Sequence, residues 1–241
     1  MKGYKNLDVV ILCGGKGTRL QSVLSDRPKI LAPLNGETFL DILLFKLKKM
    51  GFARVIMALG YGHEKIISYI GEKDWDKHSD LKLVYSIEPT PMGTGGAIKF
   101  AESHIKSDSF VVINGDTFFD VDFPAFAEFH QTKNALVSLA VSKRKELHNH
   151  YHVVTESASG KISEFSSSTS HPHYYLMTGV FLLRRDVLGH MAPGTFSLEV
   201  DFLPSALSHG LYAFDAGADF HDIGTPELYE AAKKLGRRSE N

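Results

Sequence analysis

The chain has 241 residues, 43% of them hydrophobic and 23% charged, an ordinary globular composition that is long enough to bury a full core. Its formal net charge is −1 at pH 7, which excludes a global field drawing the protein onto nucleic acid or an anionic membrane, so any anion site has to be built locally. A single cysteine, Cys13, excludes an internal disulfide framework and fits a reducing compartment.

The opening MKGYKNLD has no apolar stretch of signal-peptide length. No window reaches the ~18 apolar residues of a membrane span. The expectation is a cytoplasmic protein. Val9–Leu12 reads as a buried strand. Phe39, Leu40, Leu43, Leu44, Leu47 and Met50 recur at helical spacing, with Gly51 as the stop. Arg54–Leu59 is the next strand, and His63–Ile70 a helix with Ile66, Ile67 and Ile70 inward. Leu81–Ile87 is a third strand, Gly95–Ile105 a third helix and Phe110–Ile113 a fourth strand. Strands alternating with helices predict βαβ units and an α/β fold of the Rossmann-like kind, with a mixed, mainly parallel sheet and helices on both faces.

The second half is less regular. Ala135–Ser142, Val153–Glu156 and Tyr175–Leu183 read as strands, Ser166–His173 as a flexible loop, and Leu198–Ser208 and Pro226–Leu235 as short helices. Lys233–Arg238 is a basic run at a helix end, where cations are favoured by the dipole. His148, His150 and His152 alternate along the chain, so they could share one face of a strand. Their spacing matches no common zinc pattern.

Between the first strand and the first helix lies LCGGKGTRLQSVLSDRPK, Leu12–Lys29. Small residues after a strand let backbone N–H groups approach phosphate oxygens. The P-loop string G-x-x-x-x-G-K-[ST] is absent. The dinucleotide fingerprint fails at its third glycine, where Leu20 stands, which disfavours a nicotinamide-dependent dehydrogenase. Taken alone, the glycines suit equally a plain tight turn with Arg19 and Lys29 solvated. Asp116 follows the strand Phe110–Ile113, at the end where α/β sites form, and Asp222 follows another short apolar segment. Two carboxylates from distant parts of the chain suit one Mg²⁺, while each alone also suits a turn. Glu88 precedes a Pro-containing turn and, read alone, suits a surface position.

The string L-x-G-G-x-G-T-R-L followed by P-K, here Leu12, Gly14, Gly15, Gly17, Thr18, Arg19, Leu20, Pro28 and Lys29, resembles the opening signature of the sugar-phosphate nucleotidyltransferases, the nucleoside-diphosphate-sugar pyrophosphorylases. IEPTPMGTGGAI (Ile87–Ile98), FVVINGDTFFDVD (Phe110–Asp122), MTGVFLL (Met177–Leu183), SLEVDFLP (Ser197–Pro204) and FHDIGTPELY (Phe220–Tyr229) follow in the family's order, so the resemblance covers nearly the whole chain. The pattern is most similar to the heptose 1-phosphate guanylyltransferases of that family, with mannose 1-phosphate guanylyltransferases as neighbours.

The resemblance implies one nucleotidyltransferase domain over residues 1–241, a nucleotide-binding half 1–122 and a sugar-binding half 123–241. It implies transfer of a nucleoside monophosphate from an NTP, with GTP favoured, to a sugar 1-phosphate, with release of pyrophosphate. Arg19, Lys29 and Asp116 would be catalytic. Leu12, Gly14, Gly15, Gly17, Thr18, Glu88 and Gly93 would bind nucleotide, and Gly95, Gly179 and Glu199 the sugar. The resemblance puts Glu88 where related enzymes read the base, and one carboxylate would accept both adjacent donors of guanine, N1–H and the 2-amino group. Asp116 and Asp222 would hold Mg²⁺. Thr94 is placed to cap the following helix. Homo-oligomers are common in the family, and nothing in the composition demands one.

Two departures touch the sugar side. The Glu-Lys-Pro of many members is here Glu164, Phe165 and serine, with Lys161 or the serine loop as substitutes for the absent lysine. Thr178 stands where Asn is frequent. Cys13 has no paired base in view and is not read as a nucleophile. A catalytically silent sensing subunit is disfavoured, because a mere binder needs no complete set of Arg19, Lys29, Asp116 and Asp222.

Overall fold

The computed structural model describes residues 3–73, 75, 80–118, 120–143, 151–156, 159–166, 174–217 and 221–235. His148, His150, His171, His173, the serine loop beyond Ser166 and the end of the basic run after residue 235 lie outside the described residues.

Thirteen strands are present among the described residues: β1 (Asp8–Cys13), β2 (Pro33–Leu34), β3 (Glu37–Thr38), β4 (Arg54–Leu59), β5 (Lys82–Ile87), β6 (Ser109–Asn114), β7 (Thr117–Phe118), β8 (Val137–Ser142), β9 (His152–Glu156), β10 (Lys161–Ser166), β11 (Tyr174–Arg184), β12 (Leu211–Asp215) and β13 (His221–Asp222). Nine form one sheet in the order β5-β4-β1-β6-β11-β8-β12-β10-β9; β2 pairs with β3, and β13 with β7. β1, β4, β5 and β6 are mutually parallel. β11 runs against β6 and β8, and β10 against β12 and β9. Every other strand of the nine points the same way as β1.

Strict alternation along the strands divides the core. Val9 and Ile11 face one cluster with Val55, Met57, Val111 and Ile113, whereas Val10 faces the other with Ile56, Ala58 and Val112. Both faces are covered, which is why the strands read as unbroken apolar runs. Helix α1 (Phe39–Met50) and helix α2 (His63–Glu72) cover the first face through Leu40, Leu44, Leu47, Ile66 and Ile70. Helix α3 (Gly93–Phe100) covers the second through Ala97 and Ile98. α1 starts in a capping box: Thr38 Oγ1 accepts from Asp41 N at 3.2 Å and Asp41 Oδ2 from Thr38 N at 3.1 Å, an arrangement whose loss costs about 1 kcal/mol. The same Asp41 carboxylate accepts from Tyr69 on α2, so the two helices are pinned together.

The structure departs from the sequence reading in several elements, the short pairs β2–β3 and β7–β13 among them. The helix expected over Gly95–Ile105 starts at Gly93, stops at Phe100 and continues as a 3₁₀ turn, Ala101–His104. The one expected over Leu198–Ser208 begins as a widened π turn, Leu198–Phe202, because Ser197 O accepts from both Asp201 N and Phe202 N at 3.1 Å. Helix α4 (Phe123–Thr132) and β12 were not anticipated; Asp122 caps α4 by accepting from Ala125 N at 3.0 Å.

Candidate active site

The carboxyl ends of β1 and β6 open into a cleft of about 470 Å³, the position where ligands bind in open α/β sheets. β1 runs into the glycine turn. Gly14 O accepts from Tyr61 N at 3.1 Å, which ties the turn to the segment after β4. A Cβ on Gly14 would run into the Glu88 carboxylate, so any larger residue there displaces that side chain. Gly17 has φ +59°, and its carbonyl accepts from Leu20 N at 2.9 Å. Buried Leu20 anchors the far side, which leaves Gly15, Lys16, Thr18 and Arg19 exposed at the mouth. Leu12 forms part of the wall.

Lys29 is positioned by its neighbours. Pro28 packs so closely under Gly62 that a Cβ there would lie 2.8 Å from the proline ring. Ile30 and Leu31 are buried on the following turn. Between these anchors the Lys29 side chain crosses the cleft, and Nζ pairs with Asp116 Oδ2 at 2.5 Å.

Asp116 follows β6 through Gly115, whose N–H bonds Leu12 O at 3.0 Å. β7 comes next and pairs antiparallel with β13, with Asp222 opposite Thr117. Ile223 N donates to Asp116 O at 3.0 Å. The backbones that carry Asp116 and Asp222 therefore lie side by side, although they come from opposite halves of the chain.

Glu88 sits at the end of β5 and its N–H bonds Leu59 O at 2.8 Å. Its carboxylate accepts from Met92 N at 3.1 Å. Burial outweighs that bond and raises the pKa above the usual 4.5. Cys13 lies on the cleft floor, and burial, with Glu88 and Asp116 nearby, pushes its thiol pKa far up; it is not a thiolate nucleophile.

The residues expected to bind the sugar, and Gly93 and Thr94 beside them, divide. Gly93 and Thr94 are on the cleft wall. Gly95 is not: it is buried beneath the Phe196 ring, and its N–H bonds Phe196 O at 3.1 Å. Gly179 takes φ +76° at a bulge in β11, close enough to the partner strand that a Cβ would lie 2.8 Å from Asn114 Nδ2. Glu199 stands behind Thr94 and Asn114. Its Oε2 accepts from Thr94 Oγ1 at 2.6 Å and Ser197 Oγ at 3.2 Å, and its Oε1 from Asn114 Nδ2 at 3.4 Å.

Thr94 is thus not the helix cap that its position suggested. Phe196 O accepts from Gly95 N and Gly96 N at the start of α3, and the Thr94 hydroxyl accepts instead from Leu198 N at 2.8 Å. Asn114 and Thr94 escaped the sequence reading because their partner is far away in the chain. Thr178 is buried, and its hydroxyl donates to Ala140 O at 2.8 Å, a structural role. Lys161 pairs with Glu156 at 3.7 Å on the β9–β10 hairpin. His152 is buried beside the Tyr174 ring. Among the described residues no three His, Cys, Asp or Glu side chains converge as a metal-binding group. Nor is any described helix long and apolar enough to cross a membrane.

The cleft therefore brings together the exposed cations Lys16 and Arg19, the Lys29–Asp116 ammonium–carboxylate pair and the acceptor-only side chain of Glu88. That distribution suits a ligand with a polyanionic middle and a donor-rich end. Comparison with known proteins agrees. A D-glycero-alpha-D-manno-heptose 1-phosphate guanylyltransferase of Aneurinibacillus thermoaerophilus is 35% identical over 230 residues, 95% of this chain and 97% of that protein. One named identically, from Campylobacter jejuni, is 35% identical over 227 residues, 92% of this chain and 97% of that protein. The crystal structure of HddC from Yersinia pseudotuberculosis complexed with GMP-PN superposes with a TM-score of 0.82 at 31% identity, covering 95% of this chain and 99% of that one. A family profile described as "Nucleotidyl transferase" matches residues 8–238, and the chain belongs to that family.

Proposed function

We propose that the protein transfers GMP from GTP to D-glycero-D-manno-heptose 1-phosphate and releases pyrophosphate. A sugar-phosphate oxygen forms a bond to the α-phosphorus while the bond from that phosphorus to the β-phosphate oxygen breaks opposite. The attacking oxygen is already anionic near neutral pH, so no general base is needed, and catalysis consists of positioning two polyanions and stabilising developing charge.

The single observation that carries this reading is the convergence of Arg19, Lys29, Asp116 and Glu88 on one cleft, with the Asp222 strand laid beside Asp116. Gly14, Gly15, Gly17 and Thr18 bring backbone and hydroxyl donors to the phosphates. Arg19 holds the β- and γ-phosphates with its planar fork, and Lys29 meets the α-phosphate as a point charge. Glu88 accepts N1–H and the 2-amino group of guanine, with Gly93 beside it, and Glu199 accepts sugar hydroxyls over the floor made by Gly179. Residues 1–122 form the donor half and 123–241 the acceptor half. The hard carboxylate oxygens of Asp116 and Asp222 fit Mg²⁺, which when bound offsets phosphate charge. The triphosphate donor is an intracellular metabolite, which places the reaction in the cytoplasm.

Purified protein supplied with Mg²⁺, each of the four common triphosphates and a panel of sugar 1-phosphates tests this through pyrophosphate release. GTP with the heptose phosphate gives the highest kcat/KM. Preference for UTP overturns the Glu88 assignment, preference for mannose 1-phosphate overturns the acceptor, and no release with any pair overturns the reaction.

A further inference from the structure

We infer that Thr94 is the positioning residue for the Glu199 carboxylate and thereby sets affinity for the acceptor sugar; the inference rests on the acceptor role given to Glu199 above. The segment from Thr195 to Glu199 docks onto residues 91–96 through several bonds. Thr195 Oγ1 donates to Pro91 O at 3.3 Å, Phe196 N to Met92 O at 3.1 Å, and Gly95 N and Gly96 N to Phe196 O at 3.1 and 3.2 Å. These fix the path of the chain. Of the contacts across this junction, the one that reaches the carboxylate is the Thr94 hydroxyl, at 2.6 Å.

The two carboxylate oxygens are held unequally. Oε2 accepts from Thr94 Oγ1 and from Ser197 Oγ, and the Thr94 hydroxyl is itself oriented, because its own lone pair takes the Leu198 N–H at 2.8 Å. Among the described residues Oε1 has only Asn114 Nδ2 at 3.4 Å, beyond the range of a strong N–H···O bond. Oε1 is therefore the oxygen left to accept from a ligand. Without the Thr94 hydroxyl the terminal torsion of Glu199, which is intrinsically broad, loses its main restraint. Acceptor binding then includes the cost of ordering that carboxylate, whereas the base and phosphate contacts, made by other residues, are untouched.

Steady-state kinetics of Thr94→Val, a replacement of nearly the same shape, test this beside Thr94→Ser. In Thr94→Val the KM for the sugar 1-phosphate rises about tenfold, the size of one lost hydrogen bond to a charged group, while the KM for GTP stays within about twofold. Thr94→Ser restores the acceptor KM. In a Glu199→Gln background the Val substitution adds no further change, because a residue that acts through Glu199 has nothing left to position. A merely structural Thr94 instead lowers the melting temperature and the active fraction with the acceptor KM unmoved; that result, or an equal Val penalty in both backgrounds, overturns the inference. The failures are distinguishable. A wild type that turns over no sugar 1-phosphate removes the functional reading and this inference with it, whereas an active wild type with an unchanged Thr94→Val acceptor KM removes this inference alone.

Discussion

Lys29 Nζ and Asp116 Oδ2 are 2.5 Å apart, with side chains only 15% and 29% exposed, so a cation from the signature loop neutralises the carboxylate that follows β6. A divalent ion arriving at Asp116 competes with that ammonium. Removing Lys29 therefore has opposite effects on metal binding and on turnover. Lys29→Ala binds Mn²⁺ in the absence of nucleotide about tenfold more tightly, the scale of one nearby like charge in a partly screened site. Its pyrophosphate release falls on the order of 100-fold, because the phosphate charge loses its partner. Asp116→Ala loses both. Calorimetric titration and the release assay read the two quantities separately.

Glu88 has its pKa raised above 4.5 by burial. On the proposed function, the ionised form is the one that accepts two guanine donors. As pH falls through the raised value, the KM for GTP increases, while in Glu88→Gln it stays flat and the preference over UTP drops about tenfold or more. The linked stability has the opposite sense. Within the window between 4.5 and the raised value the folded state binds more protons than the unfolded one, so this group's contribution falls as pH rises. Glu88→Gln accordingly melts higher than wild type at neutral pH, and the gain vanishes below pH 4.5.

His130 is buried, its Nδ1 lies 2.9 Å from Ser138 Oγ, and no partner for Nε2 exists among the described residues. Burial, reinforced by Arg184, lowers its pKa from 6.5 to about 4. The unfolded chain takes up a proton at 6.5 and the folded chain only near 4. Stability is full above that window and is lost as pH falls through it, on the order of 3 kcal/mol in total. Denaturant melts between pH 4 and 6.5 show this slope in wild type, and His130→Phe flattens it. An unaltered slope in the variant assigns the acid sensitivity elsewhere.

Cys13 is 8% exposed, and its thiol donates to Ile11 O at 3.5 Å. Iodoacetamide at pH 8 leaves native protein unmodified over hours and labels it once denatured. Cys13→Ser retains kcat within about twofold and costs about 1 kcal/mol of stability. Rapid native labelling contradicts the buried, neutral thiol.

Much of this was readable beforehand because it is local. The segment Leu12–Leu31 carries its own anchors: Leu20, Pro28, Ile30 and Leu31 fold inward and leave Arg19 and Lys29 on the cleft. The helix Phe39–Met50 announces itself by period and by Gly51, whose φ is +87°; its Thr38–Asp41 capping box is seen in the structure. What stayed hidden depends on distant partners. Thr94 looked like a cap because capping is the short-range use of a threonine before a helix, and the Phe196 carbonyl that displaces it arrives from a hundred positions on. Gly95 looked ligand-facing because a glycine does not say which neighbour approaches it, and here the neighbour is the Phe196 ring. β12 reads Leu-Tyr-Ala-Phe-Asp, with no alternation of polar residues to mark it, and its pairing with β8 is what makes it a strand.

The reversed strand β11 has a consequence for how such an enzyme diverges. Because it enters the sheet against the grain, its first residues, Tyr174–Leu176, overhang the edge where β1 and β6 stop, and pair there with β9. None of the described residues lining the cleft comes from β9 or β11. On the proposed function, changes in the overhang retune which acceptor is admitted without touching the residues that grip the triphosphate, so new acceptor preferences can arise without rebuilding the chemistry.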